Sequence, residues 1–257
     1  MGFVFLVCCV GGGIHWWWFP AWSAQYRPDR SGECVIFLHG YGRSAFSMSK
    51  LARALDDLGY LIVNEGYSSF VTAIEELADA VVARDVASCR AQGAKTIHFV
   101  SHSLGGILVR TYLARHDLKE LGRVVMLSPP NQGSEIADEL GEIPWLSAWL
   151  GPASRQLGTG ADDLPRRLGP VDYPVGVIMG NRSVNPFFSW IIPGEDDGTV
   201  SVASARLRGM TDFLLVSHSH TFIMFANDVA EQVAHFLRYG RFDSPVEADS
   251  SENATAF

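Results

Sequence analysis

The sequence predicts an α/β domain built on a mostly parallel sheet, because short apolar runs alternate with stretches of helical periodicity. The chain has 257 residues, of which 47% are hydrophobic and 19% are charged. Such a composition is typical of globular proteins, and the length suffices for one domain with a sizeable core. The formal net charge is −8 and no basic cluster is present, so the sequence argues against a nucleic-acid partner.

Strands and helices are predicted in alternation along residues 31–242, which we interpret as the folded domain. Apolar runs predict strands at 34–38, 61–64, 96–100, 124–127, 175–179 and 213–216. Helical spacing predicts helices at 47–58, 71–92, 104–116 and 221–239. The long segment at about 128–174 predicts a cap over a site, since long loops in compact domains are often lids. Its Trp145 and Trp149 would suit an acyl chain, or they pack a helix onto the sheet.

The strand at 96–100 leads into a serine motif, Ser101-His102-Ser103-Leu104-Gly105, followed by a helical pattern. A nucleophilic serine is often placed on such a sharp turn between a strand and a helix, with small residues two positions away on either side. Ser101 stands where glycine is usual, but serine is also small. The alternative is that Ser103 only caps the helix that follows.

Three further segments carry polar residues at predicted strand ends. His39-Gly40-Tyr41-Gly42 follows the first strand, and Asp196-Asp197-Gly198 forms an acidic loop after the fifth. His218-Ser219-His220 lies between the last strand and the last helix. The chain order is therefore serine, aspartate and histidine. As the acidic residue that would act with the serine, Asp197 is favoured over Asp196 because it precedes Gly198. As the histidine, His220 is favoured over His218 because it comes directly before the helical pattern.

These segments, together with Ser128-Pro-Pro-Asn-Gln-Gly-Ser134, resemble the α/β-hydrolase superfamily and within it the bacterial lipases and esterases. The resemblance covers roughly residues 33–242 and implies an α/β-hydrolase fold with a cap. It further implies a Ser103–His220–Asp197 triad, with the backbone N–H groups of Tyr41 and Leu104 as the oxyanion hole.

The implied activity is hydrolysis of carboxylic acyl esters through an acyl-enzyme, on a small-molecule or lipid substrate. Neither a cofactor nor a metal is required. His218 and His220 alternate as metal ligands would, but no third ligand lies beside them. Thioesterase, amidase or acyltransferase activity would use the same triad, and a non-catalytic ligand-binding protein of this fold is the alternative from another class.

The termini and the cysteines are less informative. Residues 1–30 form an apolar, tryptophan-rich segment that is interpreted as a signal, a membrane anchor or an extension. We therefore expect a membrane-associated or exported protein, with a cytoplasmic one as the alternative. Residues 243–257 are predicted to be a flexible acidic tail. The four cysteines show no disulfide spacing, and Cys34 and Cys89 are interpreted as buried free thiols.

Overall fold

A six-stranded parallel sheet forms the centre of the protein in the computed structural model, which describes residues 32–243. The strands are β1 (Glu33–Leu38), β2 (Leu61–Val63), β3 (Thr96–His102), β4 (Leu121–Leu127), β5 (Val175–Gly180) and β6 (Asp212–Val216). They lie in the order β2-β1-β3-β4-β5-β6. Every predicted strand is present, and the predicted α/β-hydrolase fold class is correct. The predicted segment 1–30 and all of the tail beyond Asp243 lie outside the described residues.

Nine helices in the described part of the chain surround the sheet. They are α1 (Ser49–Asp57), α2 (Ile74–Ala91), α3 (Leu104–Leu113), α4 (Glu135–Gly141), α5 (Pro144–Arg155), α6 (Leu164–Arg167), α7 (Pro186–Ile191), α8 (Val202–Ala205) and α9 (Asn227–Tyr239). Alternate residues of β1 point to opposite faces, as the period of a strand requires. Cys34, Ile36 and Leu38 pack with α2 and α3, whereas Val35 and Phe37 pack with α1 and α9.

The cap segment contains α4, α5 and α6 between β4 and β5. Trp145 and Trp149 on α5 are 73% and 69% exposed, so neither packs a helix onto the sheet. Helix α5 bends at Gly151, whose φ of +78° is outside the helical region. A side chain there would collide with the carbonyl oxygen of Phe70, because its Cβ would lie only 1.8 Å from that oxygen. The bend therefore lets the cap lie close against the loop before α2.

The predicted last helix begins too early. Residues Ile223–Phe225 form a short 3₁₀ turn, Ala226 is extended with a ψ of 139°, and α9 begins only at Asn227. Ile223 and Met224 are fully buried, whereas Phe222 is exposed. The apolar pattern that predicted one helix therefore comes from two elements, the 3₁₀ turn and α9, which the extended Ala226 separates.

The interpretation of Cys34 and Cys89 as free thiols is wrong. They form a disulfide with a Cα–Cα distance of 5.9 Å, within the usual range for such bonds. Cys34 lies at the start of β1 and Cys89 near the end of α2, which packs on that strand. Their separation of 55 residues has no local signature, because the fold alone brings the two thiols together.

Candidate active site

Ser103 occupies a sharp turn between β3 and α3. Its φ of +52° and ψ of −122° are unusual for a residue with a side chain and store backbone strain. The turn is crowded: a Cβ at Gly105 would lie 2.4 Å from the carbonyl oxygen of Leu38, and one at Gly40 would lie 2.6 Å from Nδ1 of His102. Ser101 is fully buried on the strand and is accommodated there in place of glycine.

Asp197 holds both the ring and the backbone of His220. Nδ1 of His220 donates to Oδ2 of Asp197 over 2.8 Å, and the His220 amide donates to the Asp197 carbonyl oxygen over 2.9 Å. Asp197 is completely buried, and its Oδ1 accepts from the amides of Thr199 and Val200 at 3.1 and 2.9 Å. Because Nδ1 carries the proton, Nε2 of His220 is the basic nitrogen.

The alternative aspartate and histidine are engaged elsewhere. Oδ1 of Asp196 accepts from the Gly198 amide and from the Ser189 hydroxyl, at 2.6 and 2.8 Å. Nε2 of His218 pairs with Asp228 in the first turn of α9 at 2.8 Å. The structure thus brings together Asp197 and His220, the two residues that the sequence favoured.

His102 connects the Ser103 turn with the His220 loop. Its Nε2 donates to the carbonyl oxygen of His220 over 3.0 Å, and the two imidazole rings lie 4.7 Å apart. Burial holds the pKa of His102 well below its usual value, and the charge of His220 acts in the same direction. His102 is therefore a neutral donor at neutral pH. Sequence analysis indicated no partner for His102, since nothing local points to a contact 118 residues away.

The loop after β1 is stiffened by His39. Its ring stacks on Tyr67 with centroids 3.9 Å apart, and its Nδ1 donates to the Gly40 carbonyl oxygen over 2.9 Å. Tyr67 in turn donates its hydroxyl proton to the His39 carbonyl oxygen. Burial lowers the pKa of His39, which keeps the ring neutral.

The backbone amides of Tyr41, in the loop after β1, and of Leu104, next to Ser103, are the candidate oxyanion donors. Leu104 is the first residue of α3, so its N–H has no acceptor within the helix. Within residues 32–243 the N–H of Tyr41 has no assigned acceptor either. Two unpaired donors beside a strained serine are the groups that an oxyanion needs.

An apolar cavity of about 130 Å³ opens beside Ser103 and runs under α4 and α5. Its lining includes Tyr41, Ile136, Leu140, Leu150, Leu157 and Val200. The Tyr41 hydroxyl donates to the Leu150 carbonyl oxygen and thereby ties the loop after β1 to α5. The lining does not include Trp145 or Trp149, which the sequence associated with an acyl chain. Periodicity showed that the segment was apolar, but not which side chains face inward.

Arg110 on α3 anchors the loop that leads from β4 into the cap. It donates to the carbonyl oxygens of Asn131, Pro165 and Gly169 at 2.8–3.0 Å. Burial lowers the pKa of Arg110 to about 10, so the side chain remains charged at neutral pH. Through Asn131, Arg110 thus ties the sequence motif that begins at Ser128 to Pro165 and Gly169.

Neither a metal site nor a membrane span is found in the part of the chain that the structure describes. Residues 32–243 contain no group of three or more histidine, cysteine or acidic side chains placed to share an ion. They also contain no helix of the length and hydropathy that crossing a bilayer requires.

Comparison with known proteins agrees with the fold. The alpha/beta hydrolase family matches residues 35–240, and the chain belongs to this family. No curated protein matches the sequence. Among solved structures, the mature Bacillus licheniformis lipase BlEst2 is similar with a TM-score of 0.63 and 21% identity, over 83% of this chain and 94% of that one.

Two other solved structures share the fold. Legionella pneumophila phospholipase PlaB has a TM-score of 0.64 and 20% identity, over 80% of this chain and 60% of that one. Esterase RhEst1 from Rhodococcus has a TM-score of 0.51 and 17% identity, over 82% and 92%. At these identities the likeness concerns the fold, and the chemistry has to be argued from the site.

Proposed function

We propose that the protein is a serine hydrolase that cleaves carboxylic acyl esters through Ser103, His220 and Asp197. The observation that carries this proposal is the buried Asp197–His220 pair, which the His102 ring connects to the strained turn of Ser103. A histidine oriented by a buried carboxylate is the general base that a serine nucleophile requires.

In the proposed reaction, Oγ of Ser103 attacks the ester carbonyl while Nε2 of His220 takes its proton. The backbone N–H groups of Tyr41 and Leu104 donate to the oxyanion that forms, and each such donor typically contributes roughly 3 kcal/mol to the transition state. His220 then passes its proton to the leaving alcohol. Water, activated by the same Nε2, hydrolyses the acyl group from Ser103 and regenerates the serine.

The substrate class is proposed from the cavity. Its walls are mainly apolar and include Ser103, so the acyl chain is the part of the substrate that fits it. Thioesters, amides and acyl transfer would use the same groups, but no contact in the described residues favours them over ester hydrolysis.

Export or membrane association is proposed for the protein as well. Besides the apolar segment 1–30, the Cys34–Cys89 disulfide supports it, because disulfides persist mainly in oxidising compartments. An acyl-ester substrate of lipid origin would be consistent with either location.

Hydrolysis of p-nitrophenyl acyl esters by wild type and Ser103→Ala tests the proposed activity. We expect the variant to fold normally and to lose on the order of 10⁴-fold or more in turnover. Ser88→Ala on α2 is the matched control and should behave as wild type. Wild-type protein should be nearly inactive on phosphate esters and peptides. Near wild-type turnover by a folded Ser103→Ala protein would contradict the proposal.

A further inference from the structure

Arg43 is a partly buried cation close to the candidate site. Within residues 32–243 its guanidinium has neither a hydrogen-bond acceptor nor a carboxylate partner. The fully buried Arg110, by contrast, is bonded to several carbonyl oxygens, and Arg90 on α2 is paired with Glu120. Burial lowers the pKa of Arg43, which means that the folded protein partly dehydrates this charge without compensating it.

The position of Arg43 is set by the loop after β1. Its amide donates to the Gly40 carbonyl oxygen over 3.2 Å, which closes a tight turn. Gly40 in turn lies against Ser103 and His102, since a side chain on it would bring its Cβ within 3.2 Å of the Ser103 Cβ. The positive charge of Arg43 also disfavours protonation of His102, as expected for two nearby groups.

The chain that follows Arg43 lies on the His220 side of the site. The 3₁₀ turn Ala45–Met48 packs against Ile223–Phe225, which comes directly after the His220 loop. Lys50 reinforces this contact by donating to the Phe225 carbonyl oxygen over 2.6 Å. Arg43 is not part of the apolar cavity, whose walls come from the cap helices α4 and α5 and from loops at the sheet edge. If the acyl chain occupies that cavity, the alcohol part of the ester lies outside the cavity, as Arg43 does.

We propose that Arg43 binds a phosphate or carboxylate group on the alcohol part of the substrate, so that esters of anionic alcohols are preferred over neutral ones. This inference rests on the proposed ester hydrolysis. A guanidinium can donate two parallel N–H bonds to two oxygens of either anion, and it binds both anions more strongly than neutral acceptors. Because the formal net charge of the chain is −8, binding of an anionic substrate depends on local positive charge such as that of Arg43.

Soluble butyryl esters that differ only in the alcohol test this proposal. Monobutyrylglycerol is the neutral substrate, its 3-phosphate carries a phosphate, and the butyryl ester of glyceric acid carries a carboxylate. We expect wild type to show a kcat/KM for at least one anionic ester that exceeds the neutral value by on the order of tenfold. The anionic ester with the larger kcat/KM identifies which of the two anions the site binds.

Variants at position 43 then assign the preference to the side chain. Arg43→Gln should reduce the ratio of anionic to neutral kcat/KM by about tenfold, chiefly through KM, whereas Arg43→Lys should retain part of it. Arg53→Gln, on the exposed surface of α1, is the charge-matched control and should leave the ratio unchanged. A wild type without any preference, or an equal loss on all three esters in Arg43→Gln, would overturn the proposal.

Ser103→Ala measured on the same esters separates the two hypotheses. If Ser103→Ala is inactive while wild type shows no preference for the anionic esters, only the proposed anion site is wrong. If it retains turnover, the proposed function itself is wrong.

Discussion

His220 receives its position from three backbone and side-chain contacts at once. Asp197 bonds to its ring and to its amide, and His102 donates to its carbonyl oxygen. The loop therefore leaves the imidazole of His220 little freedom to rotate. His218, two residues earlier, lies at the surface beside α9.

Replacing each histidine in turn distinguishes the general base from a residue that only stabilises the loop. His220→Ala should reduce ester turnover nearly as much as Ser103→Ala, because members of a triad act as a unit. His218→Ala should retain activity within a few-fold, since its exposed pair with Asp228 contributes no more than about 1 kcal/mol to stability. Steady-state rates of the two folded variants on one ester make the comparison. An inactive His218→Ala and an active His220→Ala would reverse the assignment.

Asp85 on α2 is a carboxyl group with no exposure to solvent. Oδ1 contacts Arg84 at 2.8 Å, while Oδ2 has no hydrogen-bond partner among the described residues. Burial raises the pKa of Asp85 to about 6, although Arg84 opposes this effect. The folded protein therefore holds this proton at pH values where the unfolded chain, with an ordinary aspartate pKa, has already lost it.

The contribution of Asp85 to the free energy of unfolding should consequently fall by roughly 1–2 kcal/mol as pH rises from about 4 to about 6.5. Asp85→Asn should lack that part of the pH dependence, whereas Asp56→Asn, at an exposed site of α1, should retain it. Urea unfolding at pH 4.5 and 7.5 measures the difference. An Asp85→Asn curve with unchanged pH dependence would contradict this interpretation.

At the scale of elements, the sequence predicted the strands well and the long-range contacts poorly. The sharp turn at Ser103 and the pairing of Asp197 with His220 could be predicted because each residue lies in a short motif whose backbone conformation restricts the residues allowed. Cys34 and Cys89 could not be paired, nor could His102 be linked to His220, since these contacts depend on how distant elements pack. The start of the last helix was wrong for a similar reason: Ala226 leaves the helical region within an apolar pattern that looks continuous.

The cap helices should determine acyl chain length. Leu140 on α4 lines the cavity, so Leu140→Ala should lengthen the preferred acyl chain and Leu140→Phe should shorten it. Trp145→Ala on α5 is the control, because this side chain is exposed and outside the lining. Rates on p-nitrophenyl esters of increasing chain length give the profile for each variant. Profiles that shift with Trp145 but not with Leu140 would place the acyl chain elsewhere.

At the scale of the whole molecule, the disulfide and the segment 1–30 lead to one expectation about location. Full-length protein should be recovered in the membrane or exported fraction, with Cys34 and Cys89 resistant to thiol alkylation before reduction. A chain that starts near Arg30 should remain soluble and active. Cell fractionation combined with thiol counting by mass spectrometry tests this. Intact full-length protein confined to the cytosol with both thiols free would contradict it.

A fluorophosphonate probe tests the central claim most directly, because it reacts covalently only with a serine that an adjacent base has activated. Wild-type protein should gain one adduct per chain, and peptide mapping should place it on Ser103. The adduct should be absent in Ser103→Ala and much slower to form in His220→Ala, while His218→Ala should label at nearly the wild-type rate. A folded wild-type protein that remains unlabelled, or one labelled at a serine other than Ser103, would contradict the proposed active site.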